Sequence, residues 1–437
     1  MTDSSSVSGP VGEKFRIQSI DTLRGVALFG ILIMNIVAFA LPFGSYFNPS
    51  VDANLEGVNL TAYMAMDMFF EGSMRAVFSM LFGAGVILFT SKPDTSSVPL
   101  PDLWFRRTTL LILFGVIDAY LLLWVGDILY VYGVAGLFLY VFRNSSPIKL
   151  FTYGAIILAV LALIGTGGHF QYKELHADVQ VIKALPESVE KNNEQIAKLA
   201  AWEAVTAENF GLKEQVEAEV ALRKSDYWTI VAGFAPINLT FQTTVLYLHS
   251  LWDAMAMMLF GMALMKIGCF DASRSMKFYG IMAAVGLGVG LPVNYYEVVM
   301  FIESGFEPFW AMNAIRPTYD LGRLGMAFSY IGLVMMICKS GLFTLLRSSL
   351  AAVGQMALTN YLSHTVICNF IFMGFGLGMV GELERHQIYY VVLAIWVFQL
   401  IASPIWLKYF RFGPVEWVWR CLTYLEKQPM LITSRSK

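Results

Sequence analysis

About ten stretches of roughly 18–25 mostly apolar residues run through the chain, with the charged residues almost wholly between them. That pattern fixes the solvent before anything else. A helix crosses a hydrocarbon core of about 30 Å with about 20 apolar residues. Inside lipid, backbone polar groups must be satisfied within the element itself, so each span reads as a helix. The pattern predicts an all-α, polytopic membrane helix bundle of about ten transmembrane helices. Composition agrees: 57% of the 437 residues are hydrophobic and 14% are charged, against about 25% charged in an average soluble domain. A net charge of −2 lacks the basic footprint of a nucleic-acid binder, so lipids are the expected surroundings and no nucleic-acid partner is expected.

The spans fall at about 23–43, 74–91, 108–125, 127–142, 150–167, 245–265, 278–297, 319–338, 354–380 and 387–407. The apolar run from Leu23 is too long for a secretory signal core of roughly 7–15 residues, so the first span is expected to stay. Lys and Arg set the orientation. With the N-terminus inside, the inner segments hold Lys14, Arg16, Arg24, Lys92, Arg106, Arg107, Arg143, Lys149, Lys266, Arg274, Lys277, Lys339 and Arg347, then the basic tail from Lys408 to Lys437. The short outer segments offer only Arg316 and Arg385. Both termini are therefore expected in the cytoplasm. The chain divides into a first membrane half of five spans (1–167), an extracytoplasmic insertion (168–244), and a second half of five spans with a cytoplasmic tail (245–437). The insertion is rich in Ala, Glu and Lys with helix-spaced pairs such as Glu187/Lys191 and Glu194/Lys198, so it reads as surface helices, either a lid or a solvated excursion.

Ionisable residues inside spans are rare and face a bundle interior or a wet cavity, which makes each a candidate site. Asp21 opens the first span, where a carboxylate suits the helix dipole. Arg24 follows at its mouth, able to hold a phosphate bidentately, and Asn35 lies deep in the same helix. Asp67, Glu71 and Arg75 are spaced to share a helix face, Asp118 falls within the third span, and Asp127 sits just after it. His249 and Asp253, four residues apart, have the spacing of a base oriented by a carboxylate. His364 follows Asn360 by one turn, and Arg323 has Asp320 three residues before it as an ion-pair partner. The glycines of 78–85 read as close helix packing, and the run 286–292, ending in Pro292, as close packing and a kink. The four cysteines show no ligand spacing, and no metal site is expected. No HExxH, GxSxG, P-loop or EF-hand loop appears.

Several of these stretches together resemble the YeiB-like family of bacterial inner-membrane proteins. They are Ile20-Asp21-Thr22-Leu23-Arg24-Gly25 through Asn35, the run Phe78–Gly85, Gly126-Asp127-Ile128-Leu129, Gln355–Leu362, and Phe412-Gly413-Pro414 through Arg420. That family is grouped with transmembrane acyltransferases that share an Asp-x-x-Arg-Gly start to the first span, among them heparan-α-glucosaminide N-acetyltransferase. The resemblance implies a multi-pass protein of the bacterial inner membrane. It also implies acyl transfer from a cytoplasmic acyl-CoA to a small-molecule or glycan hydroxyl or amine, with Arg24 and Asp21 near the donor phosphates and Asn35 near the reacting centre. A homodimer is among the expected assemblies. Many polysaccharide O-acyltransferases carry His where this chain has Asn35, and many YeiB-like chains carry Gln at the position of His364. The base would then be His249 with Asp253, His364 with Asn360, or Asp118, while Asp67, Asp127, Asn360 and Arg323 are candidates for the acceptor. The same buried groups would also suit a secondary transporter or flippase-like carrier, or a membrane sensor without turnover.

Overall fold

Helix-start chemistry in the sequence is realised in several places. Ser146 and Pro147 open one long helix, the Ser146 hydroxyl accepting from Lys149 N. Ser275 caps another through Phe278 N, and Glu384 with Gln387 forms a reciprocal capping box at a third. The chain is described by a computed structural model over residues 16–91, 98–186, 188–210, 213–306 and 317–432, and every regular element there is helical. Lys14, Lys92, Glu187, Arg316, Arg435 and Lys437 lie outside these residues.

The first half holds α1 (Gln18–Ala40), α2 (Gly44–Phe47), α3 (Val58–Phe70), α4 (Ser73–Thr90), α5 (Leu100–Tyr120), α6 (Leu129–Leu139) and α7 (Pro147–Lys183). Three further helices follow: α8 (Asn193–Phe210), α9 (Lys213–Arg223) and α10 (Tyr227–Thr240). A π-helical stretch, Phe241–Ser250, joins α10 to α11 (Leu251–Lys266). Beyond it come α12 (Met276–Glu303), α13 (Tyr319–Ser340), α14 (Thr344–Gln355), α15 (Ala357–Phe372), α16 (Arg385–Tyr409) and α17 (Pro414–Tyr424).

Seven helical stretches are long and apolar enough to cross a bilayer: Gln18–Ala40, Val58–Thr90, Pro147–Lys183, Tyr227–Lys266, Met276–Glu303, Tyr319–Ser340 and Arg385–Tyr409. The other three expected spans are helices as well, but α5 carries Asp102, Arg106 and Arg107, α6 has 11 residues, and α15 has 16. The expected span at 354–380 is divided, because the chain leaves helix after Phe372.

Glycines set the closest helix contacts. A Cβ added at Gly83 would fall 1.9 Å from the Met258 carbonyl oxygen, and one at Gly261 only 1.8 Å from that of Met80. Helices α4 and α11 therefore touch backbone to backbone, as small residues permit. Gly286, Gly290 and Gly325 do the same for α12 and α13, and Gly25 with Gly354 for α1 and α14. The expected packing role of both glycine runs is what the backbone shows. Helix α12 continues through Pro292 and α16 through Pro404, so neither span is interrupted at its proline.

Helix α7 carries its apolar span onward into the insertion, where Glu194 and Asp178 both pair with Lys198, at 3.0 and 2.9 Å. The insertion is fastened to the bundle by Arg223, whose side chain is fully buried. It donates to the carbonyls of Ala38 (3.0 Å), Phe39 and Leu41 (2.8 Å), the free acceptors at the end of α1. Glu219 pairs with Arg223 at 3.1 Å and accepts from Phe43 N at 3.0 Å.

Candidate functional site

Among the described residues, three polar groups gather most of the candidate residues. The first forms where α3 gives way to α4. The sequence spacing placed Asp67, Glu71 and Arg75 on one continuous helix face, but the helix breaks at Glu71–Gly72, where Gly72 has φ +66°. A Cβ there would meet the Tyr319 hydroxyl at 2.6 Å, so glycine is needed for shape as well as for backbone. Glu71 consequently turns toward Tyr46 and Tyr319, accepting from their hydroxyls at 3.1 and 3.2 Å. Arg75 Nη2 donates to Tyr319 Oη at 3.1 Å. Asp67 stays half-buried on α3.

Across this junction, Arg323 of α13 grips Asp253 of α11 with two guanidinium nitrogens, one of them at 3.1 Å from Oδ2. Its Nε donates to Asp320 Oδ1 at 2.8 Å. Asp320 is thus a partner of Arg323, as the spacing suggests, and Asp253 is a second partner that spacing could not reveal. His249 lines a cavity of about 10 Å³ together with Asp253, Tyr319, Asp320 and Arg323. Such a volume holds one water molecule. His249 makes no hydrogen bond to Asp253, whose oxygens are engaged by Arg323, so the spacing-based base–carboxylate pair is not formed. Met74 lies against Gly30, which places this group roughly 18 Å along α1 from its first residue.

The second group centres on His364, buried in α15. Its Nε2 meets Gln399 Oε1 of α16 at 3.0 Å, and Gln399 Nε2 donates to the carbonyl of Asn360 (3.1 Å) and to Ser363 Oγ (3.0 Å). Asn360 Nδ2 turns away, to Ser403 Oγ (3.1 Å) and Val353 O (3.0 Å). His364 and Asn360 are therefore joined through Gln399. Nearby, Asp127 caps α6 by accepting from Leu129 N (3.0 Å) and Tyr130 N (2.8 Å). Asp118 is fully buried beside Asp127 and Thr365, and neither of its oxygens accepts a well-formed hydrogen bond among the described residues.

The third group stands where α1 begins. Asp21 holds both Arg16 (3.0 Å) and Arg24 (2.9 Å). Glu416 of α17 lies close by, but its oxygens cap α15, accepting from Leu358 N (2.7 Å), Thr359 N (3.0 Å) and Thr359 Oγ1 (2.5 Å). Arg107 of α5 and Arg420 of α17 complete the set, Arg107 within electrostatic reach of both Arg24 and Arg420. Asn35 lies roughly 16 Å further along α1 from Arg24, half-buried. The sequence singled out Arg24 and Asp21 here. Arg107 and Arg420 appeared only as orientation markers, and nothing in their spacing announced that α17 would fold back over α5.

Residues 264–426 match the family described as "Protein of unknown function (DUF418)". Over 425 residues the chain is 29% identical to "Uncharacterized protein YeiB" of Escherichia coli (strain K12), covering 94% of this chain and 97% of that relative. The chain is thus similar to YeiB over nearly its whole length. "Uncharacterized protein YxaH" of Bacillus subtilis (strain 168) is 27% identical over 95% of this chain and 96% of its own length. An "Uncharacterized 39.9 kDa protein in amylase 3'region" of Bacillus acidopullulyticus is 25% identical over 97% of this chain and 98% of its own. The matched family region contains Arg323, His364, Glu416 and Arg420, but ends short of the first-span residues Asp21, Arg24 and Asn35.

Proposed function

We propose that this protein is a membrane-embedded acyltransferase that moves an acyl group from an acyl-CoA, arriving where α1 begins, to a hydroxyl or amine deeper in the bundle. The observation that carries this reading is the pairing of two polar groups along one helix axis. The basic group around Arg24 stands near the start of α1, and Gly30, level with a cavity lined by His249, Asp253 and Arg323, lies roughly 9 Å further along. A pantetheine arm is long enough to bridge such a separation. Arg24, half-exposed beside Asp21, is the anchor for donor phosphates. His249 would take the acceptor proton as the acceptor oxygen or nitrogen attacks the thioester carbonyl. The carbon–sulfur bond then breaks, and the proton leaves with the CoA thiol. The reading places ten spans in a bacterial inner membrane with both termini inside, supported by the distribution of Lys and Arg.

The test is thermal unfolding of the purified full-length protein with CoA, followed by single-turnover acyl transfer. CoA should raise the unfolding midpoint of the unmodified protein and not that of Arg24→Ala, while His249→Ala should keep the CoA effect and lose turnover. A midpoint indifferent to CoA in the unmodified protein would overturn the reading. A carrier function is the alternative, favoured by the fully buried carboxyl group of Asp118. Helices α12 and α16, continuous through their prolines, lack the interrupted pair that carriers commonly use.

A further inference from the structure

The C-terminal helix α17 is held rigidly against the bundle by two contacts: Glu416 caps α15, and Trp419 Nε1 donates to the carbonyl of Arg107 at 2.9 Å. Clamped in this way, it lays two guanidinium groups on aromatic rings. Arg107 sits 3.6 Å over the Trp419 ring, with Phe89 at 5.7 Å, and Arg420 sits 4.4 Å over Phe412. Stacking covers one flat face of a guanidinium and leaves its N–H edge to hydrogen-bond elsewhere.

No acid takes that edge. Among the described residues neither Arg107 nor Arg420 has a carboxylate within ion-pair distance. Asp21 is held by Arg16 and Arg24, and Glu416 is engaged by the backbone of α15. Arg107 faces Arg24 and Arg420, and Arg420 faces Arg16, so four arginines stand against two committed carboxylates. Burial, and after it the charge of Arg16, lowers the pKa of Arg420 from the usual arginine range. Half-buried like charges without a counter-ion are costly to hold together. A bound anion removes the cost, and the planar fork of two arginines matches the oxygens of a phosphate.

We propose that Arg107 and Arg420, steadied by Trp419 and Phe412, form a phosphate-binding seat that takes a mono- or diphosphate group at the end of the bundle where α1 begins. The seat goes beyond the acyl-transfer reading, because it needs only a phosphate-bearing ligand, whether a soluble phosphate ester or an anionic lipid headgroup.

The experiment uses the full-length protein in nanodiscs of phosphatidylcholine. Unfolding midpoints are recorded against added inorganic pyrophosphate, and again in discs that contain phosphatidylglycerol. Stabilisation by pyrophosphate identifies a soluble ligand, and stabilisation by phosphatidylglycerol alone identifies a lipid headgroup. Either outcome supports the seat if Arg420→Gln weakens the response by about tenfold, if Arg107→Gln does the same, and if added salt reduces it. Should Arg107→Gln fail to fold, Arg420→Gln is read alone. The seat is overturned if neither phosphate source stabilises the protein, or if both do so equally in the unmodified protein and in Arg420→Gln. Pyrophosphate binding without acyl transfer would sink the proposed reaction and leave the seat. Turnover with CoA in a protein that neither pyrophosphate nor phosphatidylglycerol stabilises would do the reverse.

Discussion

Arg323 and Asp253, seventy residues apart in the chain, meet as a two-pronged ion pair between α13 and α11 with both side chains almost out of solvent. Desolvation makes such a pair costly to break even where its net contribution is small. Asp253→Asn should lower unfolding stability by roughly 3 kcal/mol, because it leaves a buried guanidinium with one carboxylate. Asp320→Asn should cost less, since Asp320 is the more exposed of the two. Thermal unfolding of the two variants side by side checks the order. Equal losses would show that Asp253 is not the dominant partner.

The contact between α4 and α11 makes a sharper prediction. Gly83→Ala and Gly261→Ala each push a methyl into opposing backbone, and each should cost about 2 kcal/mol or more. Gly85→Ala, with nothing within 4 Å of the added carbon, should be close to neutral. Unfolding midpoints of the three variants in one detergent decide it. A destabilised Gly85→Ala would point to propensity or insertion effects in place of packing.

Arg223 ties the insertion to the last turn of α1. Arg223→Met keeps much of the side-chain volume but frees three carbonyls and unpairs Glu219. It should lower stability by about 3 kcal/mol. Amide exchange at residues 38–43 should rise in the same variant, because those groups lose their clamp. Unchanged exchange there would mean that the insertion is held by other contacts.

Asp118 is the one prediction of a gain. Its two oxygens accept no well-formed hydrogen bond among the described residues and lie beside a second carboxylate, Asp127. Asp118→Asn replaces a buried carboxyl group that stands beside a second one and supplies two donors toward Asp127 and Thr365. Stability should rise by about 1–3 kcal/mol. A fall in the unfolding midpoint would indicate that Asp118 holds a cation or proton that the amide cannot.

Much of the membrane architecture was readable from the chain. Apolar runs of span length can satisfy their own backbone only as helices, and glycines spaced along them mark where helices approach. Ser146, Ser275 and Glu384 cap their helices for a similarly local reason. The candidate site was readable only in fragments. Asp253, Arg323 and His249 were each conspicuous as ionisable groups in apolar surroundings, and the fold does gather them around one cavity. Their partnership was not conspicuous. Four-residue spacing suggested His249 with Asp253, whereas the stronger attraction of Arg323 claims the carboxylate from another helix. The expected shared face of Asp67, Glu71 and Arg75 failed because Gly72 adopts a positive φ and turns the chain between Asp67 and Arg75.

Alone, then, the sequence determined the solvent, the helical class and the likeness to YeiB, because these depend on composition and on patterns within each segment. Tertiary structure decided which distant side chains meet. It set Arg323 on Asp253, Arg223 on the end of α1, and Arg420 opposite Arg107. Burial strengthens such electrostatic contacts, but their geometry follows from how helices pack, which no short stretch of sequence encodes.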